Sequence, residues 1–173
     1  IAFLDSDDTW HKDKLKICSK SLDNGYAFVC HKMKNKEKLY FSNTSLLHKT
    51  ITFKKLLLQG NMISTSSVVV KKNILKKVNY FCISKKIINA EDFHLWLKIL
   101  SIGYNCNMIK FELGYNREHS SNASQNTYKS LKAAIRVLVK TKLNNKSFLN
   151  KKDNFKKSLS ILYYGFGFNS LKR

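Results

Sequence analysis

The chain of 173 residues contains no proline, and its six glycines form no linker that would divide it. Arginine is nearly absent as well, so lysine supplies 29 of the 32 basic residues, and only 11 residues are acidic. Proteins that read nucleic-acid bases and phosphates depend heavily on the planar fork of arginine. The net charge of +21 therefore does not by itself predict a nucleic-acid partner, and we regard such a partner as disfavoured.

Metal-binding cysteine motifs and long apolar runs are also missing. The four cysteines show no Cys-x-x-Cys spacing, which argues against a zinc site and predicts buried free thiols. No segment reaches the roughly 20 apolar residues of a membrane span. The chain opens on Ile1, within a predicted strand and without a signal peptide, so we expect the beginning of the domain to be missing.

Apolar periodicity predicts strands that alternate with helices. The clearest helix covers residues 91–101, where Phe93, Trp96, Leu97 and Leu100 recur at helical spacing. Strands are predicted at Ile1–Leu4, Tyr26–Met33, Ser66–Lys71 and Asn107–Asn116, and further helices at His11–Leu22 (with Leu15, Cys18 and Leu22 buried), Phe53–Leu58, around Leu131–Leu138, and at Asn150–Tyr163. This alternation indicates an α/β sheet domain followed by a helical tail.

Three of the eleven acids fall in the tetrad Asp-Ser-Asp-Asp at residues 5–8, directly after an apolar run. Carboxylates at the carboxyl end of a strand lie where open α/β sheets bind ligands. Side chains this close repel one another unless a cation or a set of donors compensates. Mg²⁺ or Mn²⁺ is the simplest compensation, because these ions favour oxygen ligands and bridge carboxylates to phosphates. A turn with a helix cap at Asp8 or Thr9 is the alternative.

A second acidic pair, Glu91 and Asp92, opens the helix over residues 91–101. The apolar face that begins at Phe93 would hold a carboxylate rigidly at this position. A fixed carboxylate near a sugar hydroxyl can act as a general base, and its neighbour can hold the acceptor by hydrogen bonds. Stabilisation of the helix N-terminus by negative charge is the competing interpretation.

Four segments in order resemble family 2 glycosyltransferases with the GT-A fold. The first is a strand that ends in Asp-Ser-Asp-Asp and is followed by Trp and a Lys-Leu helix start. The four segments are Ile1–Leu15, Gly60–Val70, Ala90–Leu97 and Tyr115–Ser124. The resemblance implies that residues 1–124 form the carboxyl-terminal part of a GT-A-like domain, a mixed sheet flanked by helices, and that residues 125–173 form a basic amphipathic helical tail.

The resemblance implies metal-dependent transfer of a sugar, with inversion, from a nucleotide-diphosphate donor such as a UDP-sugar. The implied acceptor is a surface glycan or its lipid-linked precursor, as in lipopolysaccharide, lipooligosaccharide or capsule assembly. The implied site residues are Asp92 as catalytic base, Asp5, Asp7 and His119 as ligands of Mn²⁺ or Mg²⁺, and Asp5, Asp8, Trp10, Glu91 and Arg117 as substrate contacts. Without the missing first part of the domain, we expect donor binding to be weak.

Two interpretations from other classes remain open. The segment Ile1–Thr9 also fits the Asp-x-Asp-x-Thr pattern of haloacid-dehalogenase-like phosphatases, with Asp5 as nucleophile and Asp7 as acid/base. Alternatively, the protein is a non-enzymatic basic module that binds an anionic membrane or nucleic acid, because residues 127–173 combine twelve basic residues and one acid with the aromatic run Tyr163–Phe168. This composition favours a helix at an anionic membrane surface over nucleic acid. Membrane attachment is also compatible with a transferase, which it would place in the cytoplasm at the inner face of a bacterial membrane.

Overall fold

The computed structural model describes residues 1–34, 49–117, 127–144 and 152–171. Strands and helices alternate along the first part, and two long helices follow. The strands are β1 (Thr9–Trp10), β2 (Phe28–Lys34), β3 (Lys49–Ile51), β4 (Val69–Val70) and β5 (Cys106–Tyr115). The helices are α1 (Lys14–Asp23), α2 (Phe53–Gln59), α3 (Lys72–Lys77), α4 (Glu91–Ser101), α5 (Thr127–Asn144) and α6 (Lys152–Leu171), with short 3₁₀ turns at Thr65–Ser67 and Lys85–Ile87.

The five strands form one mixed sheet in the order β1-β5-β2-β4, with β3 also paired to β5. Strand β2 runs parallel to β5, whereas the β1–β5, β3–β5 and β2–β4 pairs are antiparallel. Strand β5 is therefore the centre of the sheet. Strand β2 pairs along one edge of β5, while β3 pairs with the beginning of its other edge and β1 with the end of that edge. The mixed sheet with flanking helices confirms the predicted α/β fold class.

Helix α4 packs its apolar face on this sheet. The Trp96 ring is fully buried and stacks on Phe28, with centroids 5.7 Å apart and an interplanar angle of 16°. Phe3 meets the same ring edge-on at 5.9 Å. All four residues of the predicted apolar face are buried, which confirms that prediction. This anchoring fixes the first turn of α4, where the acidic pair lies.

Helices α5 and α6 pack against the same hydrophobic core. Ala133, Ala134, Val137 and Leu138 of α5 and Leu162 of α6 belong to the buried cluster that contains the α4 face. Helix α6 also contacts α2, and α5 contacts α4. The two helices of the tail therefore cover one side of the sheet domain.

The first four residues are not the buried strand that the sequence predicts. Only Ala2 forms a bridge, with Val69 of β4, and the side chains of Ile1 and Leu4 are each 48% exposed. The segment lies outside β4 at the edge of the described sheet, so its apolar residues are only partly covered.

Helix α1 begins at Lys14, three residues later than predicted. The preceding residues are held by the sheet, because β1 pairs with β5 and the His11 backbone N–H donates to the Leu113 carbonyl over 3.0 Å. The predicted buried face is also only partly correct. Cys18 is buried, but Leu15 is 52% exposed and Lys14 is fully buried instead.

The prediction of buried free thiols holds for three of the four cysteines. All four cysteines are free thiols, and three of them, Cys18, Cys30 and Cys106, are buried. Among the helices that the structure describes, none combines the length and apolarity needed to traverse a bilayer.

Candidate active site

A cleft of about 1280 Å³ brings most of the predicted site residues together. This volume exceeds the roughly 300–1,000 Å³ of a typical small-molecule site, so it can hold two ligands. The predicted residues that line it are Asp5, Asp7, Asp8, Glu91, Asp92 and Arg117. Trp10 does not line the cleft, and His119 lies outside the described residues.

One wall of the cleft is the aspartate loop, residues 5–8. The Asp5 backbone N–H donates to Ser66 Oγ over 3.0 Å, and the Asp8 N–H closes a turn by donating to the Asp5 carbonyl over 3.2 Å. The Asp8 carboxylate accepts the backbone N–H of Arg117 over 3.2 Å. The loop is therefore tied both to the 3₁₀ turn before β4 and to the segment that follows β5.

The charges in this loop oppose one another. Partial desolvation raises the pKa of Asp5, and the negative charges of Asp8, Asp7 and Glu91 raise it further, although a hydrogen bond with Ser66 acts in the other direction. A divalent cation would relieve this repulsion, so the donor set fits one. Within the described ranges, no three His, Cys, Asp or Glu side chains form a ready ligand group. A cation here would therefore also need oxygen ligands from a substrate, as Mg²⁺ commonly does.

The Asp92 carboxylate also lines the cleft and accepts three hydrogen bonds. Oδ1 accepts the Phe93 backbone N–H over 2.6 Å, while Oδ2 accepts Asn61 Nδ2 over 3.0 Å and the Thr65 hydroxyl over 3.3 Å. Burial raises the pKa of Asp92, as does the charge of Glu91, and the three hydrogen bonds oppose this rise. The carboxylate is thus held in one orientation and is more basic than a solvated aspartate.

The adjacent residues Thr65 and Ser66 contact both Asp92 and the aspartate loop. Thr65 donates to Asp92, while the next residue, Ser66, accepts the Asp5 N–H through its hydroxyl. The Ser66 carbonyl also accepts Trp10 Nε1 over 2.8 Å and Lys14 Nζ over 2.6 Å. Trp10 therefore supports the aspartate loop from behind, with the Lys14 ammonium 3.5 Å from the centre of its ring.

Sequence patterns missed several residues of this site. Asn61, Thr65 and Ser66 lie inside the segment Gly60–Val70, which resembles an acceptor-side strand, but nothing in the sequence marks their individual contacts. Ser130 of α5 also lines the cleft, and no motif indicates it. Asn61 and Thr65 could have been found by asking which polar residues of that segment can hydrogen-bond the acidic pair, and Ser66 by asking which can contact the aspartate loop.

The buried ammonium of Lys14 gives a test of this support. Burial lowers the pKa of Lys14 to about 8, whereas the unfolded chain retains the ordinary value of 10.5. Between these two values the unfolded state binds more protons than the folded state. The titration of Lys14 therefore makes the free energy of unfolding rise with pH between about 8 and 10.5. The protein is destabilised by this group below that range and no longer so above it.

We expect this difference to appear in urea unfolding measured from pH 7.5 to 10.5. The free energy of unfolding of the wild type should rise with pH relative to that of Lys14→Met. Lys16→Met removes an exposed lysine from the same helix and is the matched control, whose curve should run parallel to the wild type. Parallel curves for all three proteins would show that Lys14 is not the titrating group.

The chain is similar to curated proteins and to a solved structure. No protein-family model matches it. It is 30% identical over 149 residues to WfgD of Escherichia coli, a UDP-Glc:alpha-D-GlcNAc-diphosphoundecaprenol beta-1,3-glucosyltransferase. It is 27% identical over 138 residues to WfaP of Escherichia coli, which carries the same description. These relatives are glycosyltransferases.

Each alignment covers 80% of this chain and 53% of the relative, so the chain spans about half the length of the curated relatives it matches. The fold also matches the crystal structure of S. aureus TarS 1-349 in complex with UDP-GlcNAc. The TM-score is 0.67 at 18% identity, over 95% of this chain and 48% of that one. This likeness confirms the predicted fold. At low identity, the comparisons support a glycosyltransferase family and favour it over the phosphatase interpretation.

Proposed function

We propose that the protein transfers a sugar from a nucleotide-diphosphate donor to a lipid-linked glycan during the assembly of a cell-surface polysaccharide. One observation carries the proposal. The aspartate loop and the Asp92 carboxylate line one cleft, and the adjacent residues Thr65 and Ser66 hydrogen-bond to both of them. The substrates named for the two Escherichia coli relatives, a UDP-sugar and a diphosphoundecaprenol-linked sugar, support these substrate classes.

The aspartate loop would bind the diphosphate end of the donor. Asp5 and Asp7, with His119 as a further ligand, would hold Mn²⁺ or Mg²⁺, which supplies charge neutralisation for a leaving diphosphate. Asp8 keeps the loop closed against the backbone of Arg117. The Arg117 side chain is exposed at the cleft, where it can contact a phosphate.

Asp92 would act as the general base on the acceptor. Its carboxylate takes the proton of an acceptor hydroxyl while the hydroxyl oxygen attacks the anomeric carbon of the donor sugar. The bond from that carbon to the diphosphate oxygen breaks with the electron pair leaving on the diphosphate. Attack from the side opposite the leaving group inverts the anomeric configuration, so a single base is sufficient. Glu91 would hold a neighbouring hydroxyl.

We further propose that the protein works in the cytoplasm, at the inner face of a bacterial membrane. A lipid-linked acceptor resides in the membrane, so the enzyme has to reach its surface. The net charge of +21 favours contact with anionic headgroups.

The proposal is tested by incubating the full-length protein with UDP-glucose or UDP-GlcNAc and GlcNAc-diphosphoundecaprenol. We expect mass spectrometry to show one added sugar on the lipid in the presence of Mn²⁺ or Mg²⁺, and no product after EDTA treatment. A reaction lacking the acceptor is the control. Absence of product with both donors would contradict the proposal. Mg²⁺-dependent release of phosphate from p-nitrophenyl phosphate would instead favour the phosphatase alternative.

A further inference from the structure

The cleft continues beyond the carboxylates onto the two helices of the tail. Ser130 of α5 and Ile161, Tyr164 and Phe166 of α6 line the same cleft as Asp92. We propose that this part of the cleft is the binding site for the sugar ring of the acceptor. The inference rests on the proposed function and deepens it, because it assigns the acceptor site to helices that the family resemblance does not cover.

Two polar atoms in this region lack partners. Glu91 Oε2 and Ser130 Oγ are both buried, and neither has a hydrogen-bond partner among the described residues. The whole Ser130 residue is only 6% exposed. Buried polar groups are nearly always hydrogen-bonded, and of the six buried polar atoms without a partner among the described residues these two belong to residues that line the cleft, where a ligand would complete their hydrogen bonds. A sugar hydroxyl can do so, because it donates to a carboxylate and accepts from a serine hydroxyl.

The apolar residues of α6 provide a complementary surface. Tyr164 is 73% exposed and Ile161 is 39% exposed, while Phe166 packs partly against the core. A pyranose ring presents an apolar face of C–H groups and a rim of hydroxyls. A site with an aromatic wall and a few placed polar groups matches this chemistry better than it matches a charged diphosphate.

The position of α6 places this surface at the acceptor end. Ile161 lies beside Gly60: the position that a Cβ atom would occupy on this glycine is 3.8 Å from Ile161 Cγ2. The residue after Gly60 is Asn61, which donates to the Asp92 carboxylate. The apolar wall is therefore adjacent to the residue that we propose as general base. A ring bound against α6 would present a hydroxyl to Asp92.

Neighbouring tyrosines on α6 offer a matched test. Tyr164 lines the cleft, but Tyr163, which is 58% exposed, does not. In the full-length protein, Tyr164→Ala should raise the KM for GlcNAc-diphosphoundecaprenol about tenfold, the effect of one aromatic contact. The KM for the UDP-sugar should not change. Tyr163→Ala should leave both values unchanged, although it removes the same ring from the same helix.

A second measurement does not depend on turnover. Saturation-transfer NMR with methyl α-GlcNAc should show contact to the ring C–H protons in the wild type and in Tyr163→Ala, and a loss of contact in Tyr164→Ala. Ser130→Ala should weaken the same contact without lowering the melting temperature, because it removes a buried hydroxyl that has no described partner.

The outcomes separate the two proposals. If the wild type transfers sugar but Tyr164→Ala keeps the acceptor KM and the NMR contact, the acceptor site is wrong and the function stands. Equal effects of Tyr163→Ala and Tyr164→Ala would also overturn the site, because they would indicate a membrane-facing role for the helix. If the wild type transfers no sugar but binds the methyl glycoside through Tyr164, the site stands and the transferase function fails.

Discussion

Replacing Asp92 with asparagine is expected to lower kcat by about 10²- to 10⁴-fold, the contribution usual for a general base. Asparagine has the same shape, and its side-chain oxygen can still accept the Phe93 N–H that Asp92 accepts. The amide cannot take a proton from an acceptor hydroxyl. Donor affinity should therefore be unchanged while transfer slows by this factor, and single-turnover kinetics and calorimetry with UDP can measure the two effects separately.

The pH dependence of transfer provides a second check on Asp92. Its pKa is raised above the ordinary 3.8, so the wild-type rate should increase as the pH rises through that raised value and the carboxylate loses its proton. The variant should lack this acid limb. Asp23→Asn, an exposed carboxylate-to-amide change on α1, is the control and should match the wild type. Normal turnover in Asp92→Asn would exclude this residue as the base.

Replacing Asp7 with asparagine is expected to weaken metal-dependent donor binding strongly. The aspartate loop concentrates negative charge: partial burial raises the pKa of Asp5, and repulsion from the neighbouring carboxylates raises it further. A cation that relieves this repulsion should bind much more weakly once one carboxylate becomes a neutral amide. We expect UDP affinity in the presence of Mn²⁺ to fall by at least about 10- to 100-fold, because even outer-shell changes at metal sites have effects of this size.

Calorimetry of UDP binding with and without Mn²⁺ tests this expectation. Without the metal, the wild type and Asp7→Asn should bind UDP equally weakly, so the difference should appear only when Mn²⁺ is added. The control is Asp153→Asn, which removes an exposed carboxylate of α6 outside the cleft. Equal stimulation by Mn²⁺ in all three proteins would show that Asp7 does not serve as a ligand.

The sequence predicts elements best where packing follows a simple period. Helix α4 was predicted to span residues 91–101 and does so, because Phe93 and Trp96 lie on a face that the sheet buries completely. Helix α2 was predicted at Phe53–Leu58 and ends one residue later, at Gln59, where the following Gly60 adopts a φ of +80°. In both cases the decisive interactions are local or lie along one face of one helix.

The predictions fail where distant parts of the chain decide burial. Apolar spacing predicts that Leu15 is buried, but the structure buries Lys14 instead. The Lys14 ammonium donates a hydrogen bond to the carbonyl of Ser66, fifty-two residues along the chain. The run Ile1–Leu4 looks like an interior strand, yet it lies at the edge of the described sheet. Composition and period contain no information about either tertiary partner.

The candidate site likewise combines residues that the sequence predicts with residues that only the tertiary structure reveals. The acidic groups at residues 5–8 and 91–92 stand out in a basic chain, and the structure places them in one cleft. The roles assigned to them remain predictions, as does that of His119. The contribution of α6 was not foreseen, because the aromatic run at its end suggests a membrane contact when the helix is considered alone. The packing of α6 against α2 and α5 brings Tyr164 and Phe166 of that run to the cleft.

The link through Thr65 and Ser66 limits how this cleft can change. Two consecutive residues set the distance between the carboxylate that would activate a nucleophile and the loop that would receive a leaving group. Both contacts are made by hydroxyls of adjacent residues in a short 3₁₀ turn, and Ser66 is buried, so the two hydroxyls can move little relative to each other unless the turn is unpacked. Longer or branched acceptors would therefore have to be accommodated by altering the helical wall, which makes α6 the part of the molecule where specificity can diverge while the reacting geometry is preserved.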